Sequence, residues 1–443
     1  MRARFLHLAD IHLGYDQYGS KDRYNDFARA FQDILDDAIR RNVDAVLIAG
    51  DLFNKRAIDA QTLIQAYDCL QKLKEQHIPV IAIEGNHDRS YYRDGRSWLQ
   101  FLAWQKLLYL LNPIMHDGTP VLAPWNPSTL RGAYIDLLDG RLRIYGLPWF
   151  GASTARVIES FADALRQAQA EERQQGVAYR ALLMHTGIEG IVPQMHGLPT
   201  QAQFEPLHGL VDYLALGHVH KPFERDGWMY NPGSTETCGA EEAAWEDRGY
   251  YYVEVDTDGV PADDYAAEGM KHRAQHLTNR RRPFWRFSFR VDGIGTPEVL
   301  EARFEDFCRR QAKEGAYIDL EPVVHITLNG VLDFDAGSLD LPRLEEIVEA
   351  HFHPLIRRVH NLTHDIDFDP DNEGLDGRNR DTWHQLEHKI FQDMLSRDAR
   401  YLPAAKEWAT TVSEMKQLAL QGEDPAMIAT RLREARARLL PRG

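Results

Sequence analysis

The chain opens with short apolar runs exchanging regularly with longer amphipathic stretches. Arg4–Ala9, Asp44–Ala49 and Pro79–Ile83 are a few residues each, rich in Ile, Leu, Val and Ala. That is the pattern of strands covered on both faces. Between them, Arg23–Arg41 gathers Phe27, Ala30, Phe31, Ile34, Leu35 and Ala38 on one side of a 3.6-residue repeat. Ile58–His77 does the same with Leu63, Ala66, Tyr67, Leu70 and Leu73. Strand–helix–strand–helix–strand predicts a doubly wound α/β sheet. Ser97–Leu111 reads as one very apolar helix. The strand-like runs Gly132–Leu138 and Arg141–Leu147, the helix Thr154–Gln175, and the buried strands Ala181–Met184, Tyr213–Leu216 and Tyr250–Val255 complete a first domain over residues 1–256.

The composition turns acidic and then basic over 257–283, which reads as a linker. Residues 284–369 alternate strand (Trp285–Val291), helix (Pro297–Glu314), strand (Pro322–Asn329), helix (Leu341–His351) and strand (Leu355–Leu362), a small second α/β domain. The remainder, 370–443, is a polar linker followed by three helices, Asp381–Asp398, Pro403–Gln421 and Asp424–Leu440. Trp383, Leu386, Ile390, Phe391 and Met394 form an apolar stripe on the first of these, and Trp408, Val412, Met415 and Leu418 form one on the second. Such stripes must be buried on each other, on the second domain or on a partner.

The 443 residues carry a formal net charge of −16, which argues against the basic footprint usual in a nucleic-acid binder. The charge is uneven: Lys271–Arg290 has seven Lys and Arg residues and no acid, and the last helix carries four arginines. Arg280, Arg281 and Arg282, interleaved with Phe284, Trp285 and Phe287, form a candidate DNA-binding patch, weighed against a solvated linker running into a strand with core aromatics. Three widely spaced cysteines, no signal-peptide pattern and no long apolar segment predict a cytoplasmic chain without disulfides or membrane spans.

The chemistry sits at the ends of the apolar runs. Asp10 and His12 follow the first, Gly50-Asp51 the second, and Gly85-Asn86-His87-Asp88 the third; His185 and Gly217-His218-Val219-His220 follow two later ones. The carboxyl ends of parallel strands converge on one edge, where open α/β folds place their ligands. A carboxylate has two oxygens and can bridge two ions, and two divalent ions about 3.5–4 Å apart suit in-line attack on phosphorus. The assignment is Asp10, His12, Asp51 and His220 on one ion, and Asp51, Asn86, His185 and His218 on the other. Mixed carboxylate, amide and imidazole donors suit Mn or Fe, with Zn and Ni next. Singly, each of these is more often a capping or packing residue; the signal lies in five clusters at five strand ends.

These clusters resemble the five motifs of the calcineurin-like metallophosphoesterases. A protein phosphatase would be expected to carry Asp-Arg-Gly soon after the second motif and Asn-His-Glu in the third; this chain has Leu52-Phe53-Asn54 and Asn86-His87-Asp88. Ala9-Asp10-Ile11-His12-Leu13-Gly14, Gly50-Asp51-Leu52-Phe53 and Asn231-Pro232-Gly233-Ser234 are similar to the SbcD nuclease family, the nuclease subunit of the SbcC–SbcD DNA-repair complex. The resemblance implies a four-layer αββα metallophosphoesterase domain, a small α/β capping domain, and a C-terminal helical segment that docks an SbcC-like coiled-coil ATPase. It also implies two Mn2+ ions, DNA as substrate and a homodimer formed through helices of the nuclease domain, for which Trp98–Leu111 is the candidate, set against a buried core helix. His87 matches the family's proton donor, set against a hydrogen bond that merely holds Asn86; Asp88 would orient His87 or its loop. One departure is Asn54, where archaeal and eukaryotic relatives commonly have His. That puts the exonuclease step in question and leaves the metal ligands untouched.

The function expected from these residues is a metal-dependent DNA exonuclease and endonuclease. The alternatives are a stand-alone phosphoesterase for a small substrate, which has no evident use for the residues after 256, and a non-catalytic scaffold, which has no use for a full ligand set with His87.

Overall fold

The computed structural model describes residues 1–90, 95–245, 247–260, 263, 265–266, 269–314, 320–365, 380–396, 401–420 and 425–439. The first part of the chain runs β1 (Arg2–Leu8), α1 (Lys21–Arg41), β2 (Ala45–Ile48), α2 (Ala60–Glu75), β3 (Val80–Ala82), α3 (Trp98–Trp104) and β4 (Tyr109–Leu110). A small hairpin, β5 (Met115–His116) and β6 (Thr119–Pro120), leads to β7 (Tyr134–Leu137), β8 (Leu142–Leu147), α4 (Thr154–Gln174) and β9 (Tyr179–Met184). Then come α5 (Gln201–Phe204), β10 (Tyr213–Leu216), β11 (Phe223–Arg225), β12 (Met229–Asn231), β13 (Gly249–Asp256) and β14 (His272–Thr278).

These strands form two six-stranded sheets, ordered β14-β13-β1-β2-β3-β4 and β11-β12-β10-β9-β8-β7. Alternate residues of each strand serve different cores, as the two-residue period of a strand requires. In β2, Val46 and Ile48 face the layer with Phe31, Ile34 and Leu70 of α1 and α2, while Ala45 and Leu47 face the other sheet. In β9, Leu182 and Met184 face Ile158 and Phe161 of α4, while Tyr179, Ala181 and Leu183 face the first sheet. The result is four layers, αββα. Each sheet has helices on one face and the other sheet on its second face, so it is not doubly wound; both arrangements cover both faces of a strand and give the same apolar runs.

Two elements differ from the sequence pattern. The apolar stretch Ser97–Leu111 is not one helix. A capping box of Ser97 and Gln100 starts α3. Lys106 then adopts a left-handed conformation (φ 59°), and the Leu107 amide closes back on the Leu102 carbonyl at 3.1 Å, a helix-ending motif. Leu107–Leu111 leaves the helix, and β4 within it pairs with β3. In α3, Leu99, Leu102 and Ala103 are buried and Trp104 is 64% exposed.

The stretch 257–283 is not simply a linker, because β14 pairs antiparallel with β13 as the edge of the first sheet. Its cations are matched by local acids: Lys271 with Asp212 at 2.9 Å, and Arg273 with Asp263 at 2.8 Å.

In the second α/β segment, β15 (Phe284–Arg290), α6 (Pro297–Glu314), β16 (Val323–Leu332), α7 (Leu341–Phe352) and β17 (Ile356–Asp365) build a three-stranded sheet, order β15-β16-β17. Trp285 packs on Phe352, and Phe287 on Phe307 and Phe352, so these half-buried aromatics lie against α6 and α7. By compactness the chain divides into two units, one holding Met1–Phe289, Glu301–Leu328 and Asp340–Asn361, the other Arg290–Leu300, Asn329–Leu339 and Leu362–Gly443. The second unit includes α8 (Arg380–Ser396), α9 (Ala405–Leu420) and α10 (Pro425–Leu439), with Trp408 and Ala409 buried. The polar linker read between 370 and 380 and the side chains of Trp383 and Leu386 lie outside the described residues. Among the described residues no helix is long and apolar enough to cross a membrane.

Candidate metal centre

The residues singled out at the strand ends come together in one cluster. Asp10 and His12 follow β1, Asp51 follows β2, Asn86 and His87 follow β3, His185 follows β9, and His218 and His220 follow β10. The two sheets present these ends side by side. Asp10, His12, Asp51 and His185 are all buried. The local backbone is bent to aim them: Asp10, His12 and Asp51 each have φ 53°, and His218 has φ 78°. Left-handed backbone costs an L-residue about 1–2 kcal/mol, and its concentration at four functional candidates is the kind of strain that surrounding structure must enforce. Gly85 is held to glycine by Asp51, since a Cβ there would lie 2.0 Å from Asp51 Oδ1. Gly50 is held by His185, whose Nδ1 would be 2.3 Å from a Cβ.

On one side, Asp51 Oδ2 is 3.3 Å from His185 Nε2, and Asn86 Oδ1 is 3.0 Å from His185 Nε2 and 2.9 Å from His218 Nδ1. On the other, His12 Nε2 and His220 Nε2 are 3.0 Å apart, and His220 Nε2 is 4.0 Å from Asp10 Oδ1. Ligand-type atoms of Asp51, His185 and His218 lie within 4.8 Å of one another, as do those of His12, Asp51 and His87. Asp51 is common to both groups.

The outer ring of contacts fixes the imidazoles. His185 Nδ1 donates to the Ala49 carbonyl at 2.7 Å, which turns Nε2 toward Asp51. His220 Nδ1 meets Glu242 Oε1 at 2.6 Å, and His87 Nδ1 donates to the Asn54 carbonyl at 2.6 Å. Asp10 accepts the His218 amide on both oxygens. Asp88 accepts the amides of Phe53 and Gly85 at 3.0 Å each and that of Leu52 at 3.3 Å. It ties the loop after β2 to the loop after β3.

The electrostatics are those of charges packed with little water. Burial pushes the Asp10 carboxyl up to about 6, against the pull of His185 and His220. Burial also pushes Asp51 up, but His185, by charge and hydrogen bond, with His12 and His87, holds it below the usual carboxylate range. His185 is driven down by burial and more strongly up by Asp51 and Asp10, to about 9. Burial and the neighbouring His185 lower His218 to about 3, and burial with His220 lowers His12. Asp88 rises to about 7 through burial and the Asp51 charge.

The donor set fits divalent ions. Carboxylate, amide oxygen and imidazole nitrogen are hard-to-borderline ligands, and here they converge on one another from five strand ends. The Nδ1 of His12 is buried with no hydrogen-bond partner, so its ring is not anchored by protein as those of His185 and His220 are.

Sequence reasoning did not find Glu242, Cys238 or Arg248, which surround His220. Arg248 Nη1 donates to Glu242 Oε2 at 2.5 Å and the Cys238 amide donates to the same oxygen at 2.9 Å. Glu242 sits in a single 3-10 turn, Ala240–Ala244, too short to carry a period that would mark it, and the other two lie outside that turn. Arg282, read as part of a DNA patch, is instead turned inward: it is 6% exposed and donates to Asp26 at 2.6 Å. Arg281 donates to the Arg248 carbonyl, and Arg280 is exposed.

A family model of the calcineurin-like phosphoesterases matches residues 3–222, the span that carries every residue of the cluster. The chain is 30% identical over 323 residues to the DNA double-strand break repair protein Mre11 of Archaeoglobus fulgidus, covering 71% of this chain and 67% of that protein. It is also 30% identical over 373 residues to the Mre11 protein of Haloferax volcanii, covering 83% of this chain and 69% of that one. The match to the Mre11 protein of Methanosarcina acetivorans covers only 37% of that longer relative. The chain belongs to the Mre11/SbcD-type nucleases within the calcineurin-like phosphoesterases, and is a phosphodiester hydrolase.

Proposed function

We propose that the chain is a DNA repair nuclease, both exonuclease and endonuclease, that works with two divalent ions, Mn2+ first among them. Asp10, His12, Asp51 and His220 would hold one ion and Asp51, Asn86, His185 and His218 the other. The observation that carries this is the position of Asp51, whose carboxylate faces His185 at 3.3 Å and His87 at 4.0 Å and belongs to both groups of ligand-type atoms.

The ions, when bound, would supply an activated water and neutralise the phosphate oxygens. The chain's own residues do the rest. Asn86 Oδ1 sits between the rings of His185 and His218 and fixes their spacing. The Ala49 carbonyl and Glu242 fix the rings of His185 and His220 so that each turns one nitrogen inward, the carbonyl- and carboxylate-supported histidines common in metal sites. His87 is half-exposed at the mouth, with Nδ1–H held by the Asn54 carbonyl. Its Nε2, which faces Asp51, carries the transferable proton in the imidazolium form and would deliver it to the leaving oxygen. The break-repair names of the archaeal relatives support DNA as substrate. The helices α8–α10 are assigned to docking an SbcC-type coiled-coil ATPase, and the nuclease domain to forming a homodimer.

The test is cleavage of linear and hairpin DNA with Mn2+, with and without the coiled-coil ATPase, beside the two-ion stoichiometry of the purified chain. Cleavage that requires the metal and two ions per chain are expected. Hydrolysis of small phosphodiesters with no action on DNA would overturn the assignment in favour of a stand-alone phosphoesterase.

A further inference from the structure

One sulfur atom stands beside this centre. Cys238 lies in the stretch between β12 and β13, and its Sγ and a ring nitrogen each of His12 and His220 lie within 4.8 Å of one another. Two donors on one tetrahedral zinc ion are about 3.3–3.6 Å apart, given bonds of about 2.0–2.1 Å to nitrogen and 2.3 Å to sulfur. Small side-chain shifts would therefore bring all three onto one ion, and the histidine nitrogens already stand at 3.0 Å.

The thiol is held in place by its backbone. The Cys238 amide donates to Glu242 Oε2 at 2.9 Å, and Glu242 Oε1 meets His220 Nδ1 at 2.6 Å. The Cys238 carbonyl accepts from Gln17 Nε2 at 2.9 Å. The carboxylate that aims the His220 ring thus also fixes the backbone that carries the sulfur. Opposite it, His12 is 3% exposed and its Nδ1 has no hydrogen-bond partner, so the ring can turn to meet a donor set on either side. The other two cysteines, Cys69 and Cys308, are buried and belong to no such group among the described residues.

Sulfur changes what the centre prefers. The oxygen-rich set of Asp10 and Asp51 with His12 and His220 suits Mn2+; a thiolate with two imidazoles suits Zn2+ and other borderline ions. We propose that Cys238 completes a second, sulfur-containing donor set with His12 and His220, so that this position takes Zn2+ in a mode that withdraws both histidines from the Mn2+ set. The thiol proton leaves to solvent as the Zn–S bond forms. Zn2+ then inhibits the Mn2+-loaded nuclease, and Cys238 sets the Mn2+/Zn2+ preference. This rests on the proposed role of His12 and His220 as ligands.

The experiment uses the full chain, stripped with a chelator and titrated with Co2+ and Zn2+. A thiolate ligand gives Co2+ a near-ultraviolet sulfur-to-metal charge-transfer band that nitrogen and oxygen ligands do not. The wild type is expected to show the band, and Cys238→Ser and Cys238→Ala to lose it. Zn2+ affinity, measured against a chromophoric chelator, is expected to fall at least tenfold in both variants, while two Mn2+ per chain still bind and report an intact fold. Visible Co2+ absorption without the charge-transfer band, a band that survives in both variants, or unchanged Zn2+ affinity would each overturn the Cys238 site and leave the two-ion centre standing. If the wild type takes up no Co2+, or His12→Ala and His220→Ala bind it as wild type does, the two-ion centre itself falls, and the Cys238 site with it.

Discussion

His87 Nδ1 donates to the backbone carbonyl of Asn54 at 2.6 Å. Asn54 therefore orients the candidate proton donor through its main chain, whatever its side chain. His87→Gln should keep both ions and bind DNA yet cleave about 10²–10⁴-fold more slowly, the usual loss with a general acid. Asn54→Ala should change the rate less than about tenfold, since the carbonyl stays. Single-turnover cleavage with metal analysis checks both; wild-type cleavage by His87→Gln would remove His87 from the chemistry.

Asp51 faces both groups of donors, and His185 only one. Asp51→Ala is expected to empty both positions together, and His185→Ala mainly the position shared with Asn86 and His218. Chelation of the wild type should abolish cleavage, and added Mn2+ restore it. Two ions retained by Asp51→Ala in elemental analysis would break the bridging assignment.

What could be read from the chain alone was whatever a local pattern records. Val46 to Ile48 and Leu182 to Met184 announce themselves because both faces of those strands are covered, and a polar residue ending such a run is placed by topology at the shared edge. The end of α3 was hidden because nothing marks Lys106, a non-glycine residue, for a left-handed turn. Strand β14 was hidden because its edge position leaves only His272 and Ala274 buried among basic residues, of which Lys271 finds its acid, Asp212, 59 residues away. Arg282 and Asp26 are 256 residues apart, and no spacing rule links them. Glu242 supports His220 from a short 3-10 turn 22 residues further on, so its role exists only once the fold has formed.

Arg282 joins a buried charge network in which Asp26 also receives Arg23 at 2.9 Å. Asp26 keeps Arg23 and, at 2.8 Å, Arg29, so the loss of Arg282 removes its buried charge-assisted hydrogen bonds without stranding a charge, at a cost of about 1–3 kcal/mol. Arg282→Ala should therefore lower unfolding stability by roughly that amount, and Arg280→Ala by less than about 0.5 kcal/mol, as exposed positions do. If Arg280 meets DNA, its loss should flatten the salt dependence of binding by about one phosphate's worth, a slope change of about 0.9. Urea titrations and salt-dependent binding separate the two; equal stability of the two variants would contradict the buried network.

Two histidines link the sheets: His7 on β1 meets the Tyr213 hydroxyl at 2.9 Å, and His272 on β14 meets the Tyr230 hydroxyl at 2.9 Å. Burial lowers His7 to about 3 and His272 to about 4, so both are neutral in the folded chain. The unfolded chain takes up these protons below pH about 6.5. Stability from these groups is present above that pH and lost as it falls toward 4, on the order of a few kcal/mol for the pair. His7→Gln should flatten the fall of the urea midpoint between pH 6.5 and 4 relative to wild type. An unchanged slope would mean that His7 is not the titrating group.

The last expectation concerns α8–α10. Trp408 and Ala409 are buried, yet Ile390 and Met394, one turn apart on α8, are 40% and 63% exposed. Leu402 and Leu432 are also exposed. A three-helix segment of this length has a small core and is marginally stable by itself, and apolar residues left on its surface are available to a partner helix laid against them. A chain ended after about Asp369 should remain folded and bind two ions. It should no longer co-purify with a coiled-coil ATPase, and should lose any ATP-dependent action on duplex DNA. Ile390→Asp with Met394→Asp in the full chain should reproduce the loss of partner while keeping metal-dependent cleavage. Co-purification of the shortened chain at full yield would assign the helices to internal packing instead.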